Sequence, residues 1–390
     1  MTRYKFFLAG LILFFITSIS FAQTTKSLQK SITEHFLMDE TNNFQILEET
    51  EDSIVIYNQD YEISIIGKLV DKSLYESSEE YLVTMFEKLS AVYEECEYDW
   101  NNRKCAFGTF EMTMDTLYSG LALAVPTADN NHYLLFLGYA PYSENSFSQS
   151  IIMSCLNSIC LKSDEYYTPG PVTSFAFPLE NSKEISITID DDEIKSTINE
   201  IDEEAAEFLI EMEYTILRLQ KYASDDERIA AWQRYYRIIY RDNYGRIKNI
   251  LGDVINYYYP LAGKPDKQNE IVFAQKILSW VQNFQYDRAK NQTESDFVSL
   301  PAAFCGRGND CDSRSMMVCA FMQYLNIDSV LLISQEFSHA LAGIDIMAPG
   351  QMFMFDEKNY LLGETTAKIT WGTIVKDHAD QSKWFPVYLY

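Results

Sequence analysis

The feature that most limits the fold is the segregation of strand signals from helix signals along the chain. From about Phe44 to Ala140 come short runs rich in Val, Ile, Tyr and Phe: "NFQILEE", "DSIVIYN" and "YEISIIGKL", then "AFGTFEMTMD", "GLALAVPT" and "HYLLFLGYA". Asn, Asp and Gly break them at hairpin spacing, the pattern of antiparallel strands. One helical interlude, "SSEEYLVTMFEKLSAVY", carries Tyr81, Leu82, Phe86 and Leu89 at helix spacing, and a second helix is expected near Ser146 to Ile159. "KEISITIDDDEIKSTI" reads as a hairpin turning at Asp190 to Asp192, whose adjacent carboxylates lack the spacing of a calcium loop. From Asp202 to Tyr259 helical periodicity takes over, with Tyr-rich stripes that read as helix–helix core. Strands first and helices later predict an α+β chain.

The stretch "KSDEYYTPGPVTS" sets Pro169, Gly170 and Pro171 in a polar context and is the expected boundary. The resulting organisation is a signal peptide over 1–22, an N-terminal antiparallel α+β domain over 23–165, a hairpin plus helical region over 172–262 and a C-terminal domain over 263–390. The first segment, "MTRYKFFLAGLILFFITSISFAQ", has a basic start at Arg3 and Lys5, an apolar stretch from Phe6 to Ile16 and small residues at Ser20 and Ala22. That layout predicts a cleaved secretory signal and a secreted or periplasmic product. No later segment is apolar enough to span a membrane.

Loss of the signal takes away two positive charges, so the formal net charge moves from −26 to −28 (−26 − 2). So acidic a surface argues against nucleic acid and anionic membranes as partners, since both select basic footprints. No cofactor motif and no metal-ligand pattern is expected. Seven cysteines is an odd count, so at least one is unpaired within the chain. Cys96 and Cys105 flank the turn-like "DWNNRK" at the spacing of a hairpin disulfide, Cys155 and Cys160 are spaced to bridge across a helix terminus, and Cys305 precedes Cys311 across a loop. Disulfides and free thiols both remain open for each pair.

The chemistry gathers in "GRGNDCDSRSMMVCAFMQYLNI", where Cys311 follows a Gly-rich turn and opens a helix with Met316, Met317, Ala320, Phe321 and Tyr324 on its apolar face. A helix N-terminus favours a thiolate, and its free N–H groups can donate to an oxyanion. Asp310 and Asp312 oppose the thiolate unless they point away as caps. Of four histidines, His339 opens the strand-like "HALAGIDI" and His378 lies in the polar loop "VKDHADQSK". A strand end holds an imidazole more firmly than a loop, which favours His339 as base. The strand "YLLGETT" sets Glu364 among apolar and small residues, where a carboxylate needs a positive partner. Asp345 and Asp356 are the alternatives for the acid.

Taken together, "WVQNFQYD", "GNDCDSR", "HALAGIDI" and "YLLGETT" occur in the order found in the bacterial branch of the transglutaminase-like superfamily, which the chain resembles from about Gln268 to Thr366. The resemblance implies a papain-like, transglutaminase-like α+β core, with Cys311 as nucleophile, His339 as base and Glu364 as third member. It implies an oxyanion-binding amide at Gln282, and acyl-transfer chemistry on a peptide or protein, by hydrolysis or amine transfer. Asn309 stands where the family box usually has Gly, and Arg314 where it has Lys; an Asn tolerates positive φ, so the turn is expected to survive. "HALAG" lacks the aromatic that follows "HA" in cross-linking members. In element order the N-terminal part is similar to small exported domains of the PsbP type.

Overall fold

The computed structural model describes residues 32–41, 43–143, 147–259, 267–288 and 293–389, so the expected signal peptide lies outside it. Seven strands form one antiparallel sheet: β1 (Phe44–Glu49), β2 (Ser53–Asn58), β3 (Ile63–Asp71), β4 (Val92–Trp100), β5 (Arg103–Thr113), β6 (Leu117–Pro126) and β7 (His132–Pro141). Their order is β1-β2-β3-β7-β6-β5-β4. Helix α1 (Ser78–Lys88) covers one face through Tyr81, Leu82 and Phe86. Helix α2 (Ser148–Asn157) covers the other through Ile151, Ile152, Cys155 and Leu156. Burial on both faces is why β6 and β7 read as continuous apolar runs rather than as alternating ones. Gly138 permits the close approach of α2: a Cβ there would lie 2.4 Å from Cγ2 of Ile152.

Strand β4 reaches back from the "DWNNRK" turn into "AVY", which reads in sequence as the end of the helical interlude. Instead α1 stops at Lys88, Ser90 takes a φ of 52°, and Val92 begins the strand. Its many carboxylates suit an edge, where charge discourages pairing with another chain. On the β4–β5 hairpin Cys96 lies opposite Phe107, and Cys105 opposite Tyr98. The two cysteines are therefore diagonal neighbours, about 7–8 Å apart, beyond disulfide reach. All seven cysteines are free thiols, including Cys155, Cys160 and the exposed Cys305.

The expected boundary stretch is packed rather than loose. Helix α3 (Pro171–Ala176) starts on a proline, Trp100 Nε1 donates to Pro169 O at 3.0 Å, and Arg241 Nε donates to Tyr166 O at 2.7 Å. Beyond it come the hairpin β8 (Ser182–Ile189) and β9 (Asp192–Asn199), then α4 (Asp202–Leu219) and α5 (Asp225–Tyr258), the last opened by a Ser224/Glu227 capping box. These helices serve two cores. Leu209, Met212, Ile216 and Ile238 complete the core under the seven-stranded sheet, while Tyr235, Tyr236, Tyr240 and Tyr244 belong to the C-terminal one.

The C-terminal part contains α6 (Lys267–Val281), α7 (Leu300–Phe304), α8 (Cys311–Tyr324) and five antiparallel strands. These are β10 (Ser329–Ser334), β11 (His339–Ile344), β12 (Met352–Phe355), β13 (Lys358–Gly363) and β14 (Phe385–Tyr388), in the order β12-β13-β11-β10-β14. Helix α8 was expected to have one apolar face, yet every residue from Met316 to Met322 is buried. It lies between β10 and β11 on one side and α5 and α6 on the other, so no face is left for water. Among the described residues no helix is long and apolar enough to cross a membrane.

Arg234 on α5 joins the two cores. Its guanidinium reaches Glu213 at 2.6 Å and Ser154 Oγ at 2.7 Å, and donates to Asp39 O at 2.8 Å. Both ends of the ion pair are buried, so removing one strands the other. Arg234→Met is expected to lower the free energy of urea unfolding by about 3–5 kcal/mol. The exposed Arg228–Asp225 pair is the control: Arg228→Ala should cost no more than about 1 kcal/mol. Equal effects would contradict this role for Arg234.

Candidate active site

The turn before Cys311 is built by side chains rather than by backbone licence alone. Gly306 takes the positive φ, at 93°, and Asn309 does not, which corrects the expectation that Asn309 serves through its conformational tolerance. Its carboxamide oxygen instead accepts from Arg314 Nε at 2.8 Å. Asn309 and Arg314 thus touch each other. Arg314 is 1% exposed, and its Nη2 also donates to Phe284 O at 2.8 Å. Asn309 pairs with the segment after α6 through Asn309 N to Gln285 O and Asp287 N to Asn309 O, both 3.1 Å. The guanidinium therefore locks the turn against that segment and against α8.

Asp310 caps α8 and accepts from Asp312 N at 3.3 Å and from Ser313 N. Those two N–H groups are committed to the cap. Asp312 does not point away from the sulfur: its Oδ1 accepts from Cys311 Sγ at 3.1 Å and its Oδ2 from the hydroxyl of Tyr236. Tyr236 belongs to the Tyr-rich stripe of α5, so that stripe is core, as expected, and also reaches the site. Cys311 itself is 1% exposed. Burial first, then the charges of Asp312 and Asp310, push its thiol well above the usual range, and the N–H of Ala340 opposes them. Burial and Asp312 thus work against the lowering expected from the helix end, where Asp310 already takes the N–H groups of Asp312 and Ser313.

His339 and Glu364 are brought together. His339 begins β11 and Glu364 follows directly on β13, whose Gly363 pairs with Ala342. His339 Nε2 lies 2.8 Å from Glu364 Oε2. Thr366 holds the other carboxylate oxygen through its N–H at 2.8 Å and its hydroxyl at 2.6 Å. Burial alone would raise the Glu364 carboxyl, but the hydrogen bond and charge of His339, with help from Thr366, bring it below its ordinary value. Asp356 is in the β12–β13 turn and accepts from Tyr388, while Asp345 lies past the far end of β11. Since Nε2 is committed to Glu364, Nδ1 is the nitrogen left to a thiol. Cys311 meets this strand at the adjacent amide, that of Ala340.

Gln282 is buried beside the acid, but not as an oxyanion donor. Its Nε2 donates to Glu364 O at 2.8 Å and Ile369 O at 2.9 Å, which uses both amide hydrogens. It fixes the segment that carries Glu364. His378, set aside as a loop residue, sits with its ring 5.3 Å from that of His339. Phe337 and Trp384 pack against it, and Trp384 Nε1 donates to His378 O at 2.9 Å. Burial first, then His339, holds His378 below its ordinary value. Arg288 was also missed: it bonds Asp296 at 2.8 Å and supplies the positive field that lowers Asp310 and Asp312. No local motif marks Arg288, Tyr236 or His378.

The sequence matches no family model and no curated protein. Among solved structures it is similar to a protein of Bacteroides thetaiotaomicron at 10% identity and a TM-score of 0.23, over 55% of this chain and 75% of that one. Overlap of that extent carries no weight for the fold or the chemistry.

Asp310 gives the site a pH signature. Its buried Oδ2 has no partner among the described residues, and burial, with Asp312 next, pushes the carboxyl from 3.8 up to about 8. Between these values the folded chain holds a proton that the unfolded chain has lost, so stability falls as pH rises through that window. Asp310→Asn keeps an acceptor for the cap and cannot ionise. Thermal unfolding at pH 5 and pH 8 should show a smaller loss of stability in the variant than in the parent; identical losses would contradict the assignment.

Proposed function

We propose that the chain is an exported thiol enzyme of the transglutaminase-like kind, secreted or periplasmic, acting on amide bonds of a peptide or protein. The observation that carries this is the His339–Glu364 pair at 2.8 Å, with His339 on the strand whose Ala340 amide meets Cys311. In this mechanism His339 takes the proton of Cys311 as the sulfur attacks the carbonyl carbon. The C–N bond breaks, the amine leaves with the proton from the imidazolium, and a thioester remains. Water then hydrolyses the thioester; an amine in its place makes the same site a transglutaminase. Glu364 stabilises the imidazolium in both. The N-terminal α+β part, similar in element order to PsbP-type domains, is an accessory module in this scheme, beside a papain-like C-terminal core.

A second reading rests on the burial of Cys311 and the acids beside it, which favour the thiol. It makes the chain a binding or assembly protein with a vestigial site. Acylation separates the two. With p-nitrophenyl acetate as the probe, peptide mapping should find acetyl on Cys311, formed roughly 10²-fold more slowly in His339→Ala. Acetyl confined to Cys96 and Cys305, or acylation of Cys311 that ignores the loss of His339, would overturn the enzyme. A labelled amine added with a glutamine peptide reports which acceptor is used.

A further inference from the structure

One ligand atom each from His339, Glu364 and His378 lies within 4.8 Å of the other two. The three are far apart in sequence, so no spacing rule could have joined them. Two features make this more than a crowded corner. His378 Nδ1 is buried with no hydrogen-bond partner among the described residues, an arrangement that needs a reason in a native fold. Glu364 is already oriented as metal-ligating carboxylates are, with Thr366 holding Oε1 so that Oε2 faces the imidazole. We infer that His339, Glu364 and His378 form a binding site for a divalent transition ion, zinc above all, which shuts off the proposed base when filled.

Two imidazoles and a carboxylate are a donor set that zinc accepts, with a fourth position left open. Bonds of about 2.0–2.2 Å in tetrahedral geometry place neighbouring ligand atoms roughly 3.3 Å apart. One edge of that figure already measures 2.8 Å, between His339 Nε2 and Glu364 Oε2. The ion would replace the proton on that edge and widen it by about half an ångström. The His378 loop is held by Phe337 and Trp384, so the third ligand is positioned by packing and not by chance.

The functional consequence rests on the thiol-enzyme reading. A neutral imidazole has one basic lone pair, and whichever nitrogen binds the ion, that pair is used. With the ion on Nε2 the ring proton sits on Nδ1, so His339 cannot accept the proton of Cys311. Binding is therefore inhibition, reversed by a chelator.

Cobalt(II) chloride, titrated into the untagged, reduced chain, supplies the test, with its visible absorption as readout. The expected result is saturation at one ion per chain, displaced by zinc chloride. His378→Phe keeps the ring against Phe337 and Trp384 and removes the nitrogens, and should weaken binding roughly 10-fold or more, at least the loss seen for outer-shell partners. Cys311→Ser should bind as the parent does. Binding lost in Cys311→Ser but kept in His378→Phe would place the ion on Asp310, Cys311 and Asp312, and would overturn the inference. No saturable binding in a chain whose Cys311 is acetylated would overturn the metal site alone. Binding as expected in a chain whose Cys311 resists p-nitrophenyl acetate would leave the metal site standing and overturn the enzyme.

Discussion

The site depends on one buried cation. Arg314 has no carboxylate at its fork; its donors go to Asn309 Oδ1, Phe284 O, Thr365 O and Asn309 O. Those acceptors lie in the turn before the nucleophile, the end of the α6 segment and the stretch that carries the acid. A lysine has three donors around a point charge and could not span them in one plane as arginine does. The charge also acts on the chemistry, since it lies in the field of Asp310, Cys311 and Glu364. Burial lowers its own pKa, a cost that the hydrogen-bonded carbonyls offset.

Around this tie the site sets two opposing fields against each other. On the helix side Asp310 and Asp312, both raised by burial, favour the thiol at Cys311. On the strand side the Glu364 carboxyl lies below its ordinary value and is aligned with His339, 2.8 Å from Nε2. Arg288 and Arg314 moderate the first field. In the proposed chemistry, proton transfer from Cys311 to His339 accompanies attack, when the sulfur's charge passes to the substrate, rather than preceding it as a resting ion pair.

What could be read from sequence was what local pattern encodes. The hairpins at Asp190 and Asp356, the helix that Cys311 opens and the strand that His339 opens were legible, because each joins a turn residue to a periodic run. The edge strand β4 was not, since its first residues continue the helical run "EKLSAVY" and Glu94 interrupts the row of Val92, Cys96, Tyr98 and Trp100 by which a strand is recognised. Within the site, Cys311 was legible because it opens a helix, His339 because it opens a strand, and Glu364 because a carboxylate among apolar strand residues is costly without a partner. Tyr236, Arg288 and His378 were not, since their roles exist only once α5, the segment after α6 and the β14 edge have packed together. Asn309 and Arg314 were noticed as two separate departures, and only their 2.8 Å contact makes them one feature.

The central claim is that Glu364 acts on Cys311 through His339. The rate of Cys311 alkylation by iodoacetamide, followed by peptide mass spectrometry across pH, tests it without a substrate. Glu364→Gln keeps the shape and removes the charge, so the imidazolium is less stabilised and the midpoint of the profile should move upward. Asp356→Asn, in an exposed turn, should leave it in place. A profile that moves with Asp356→Asn and stays put with Glu364→Gln would contradict the account.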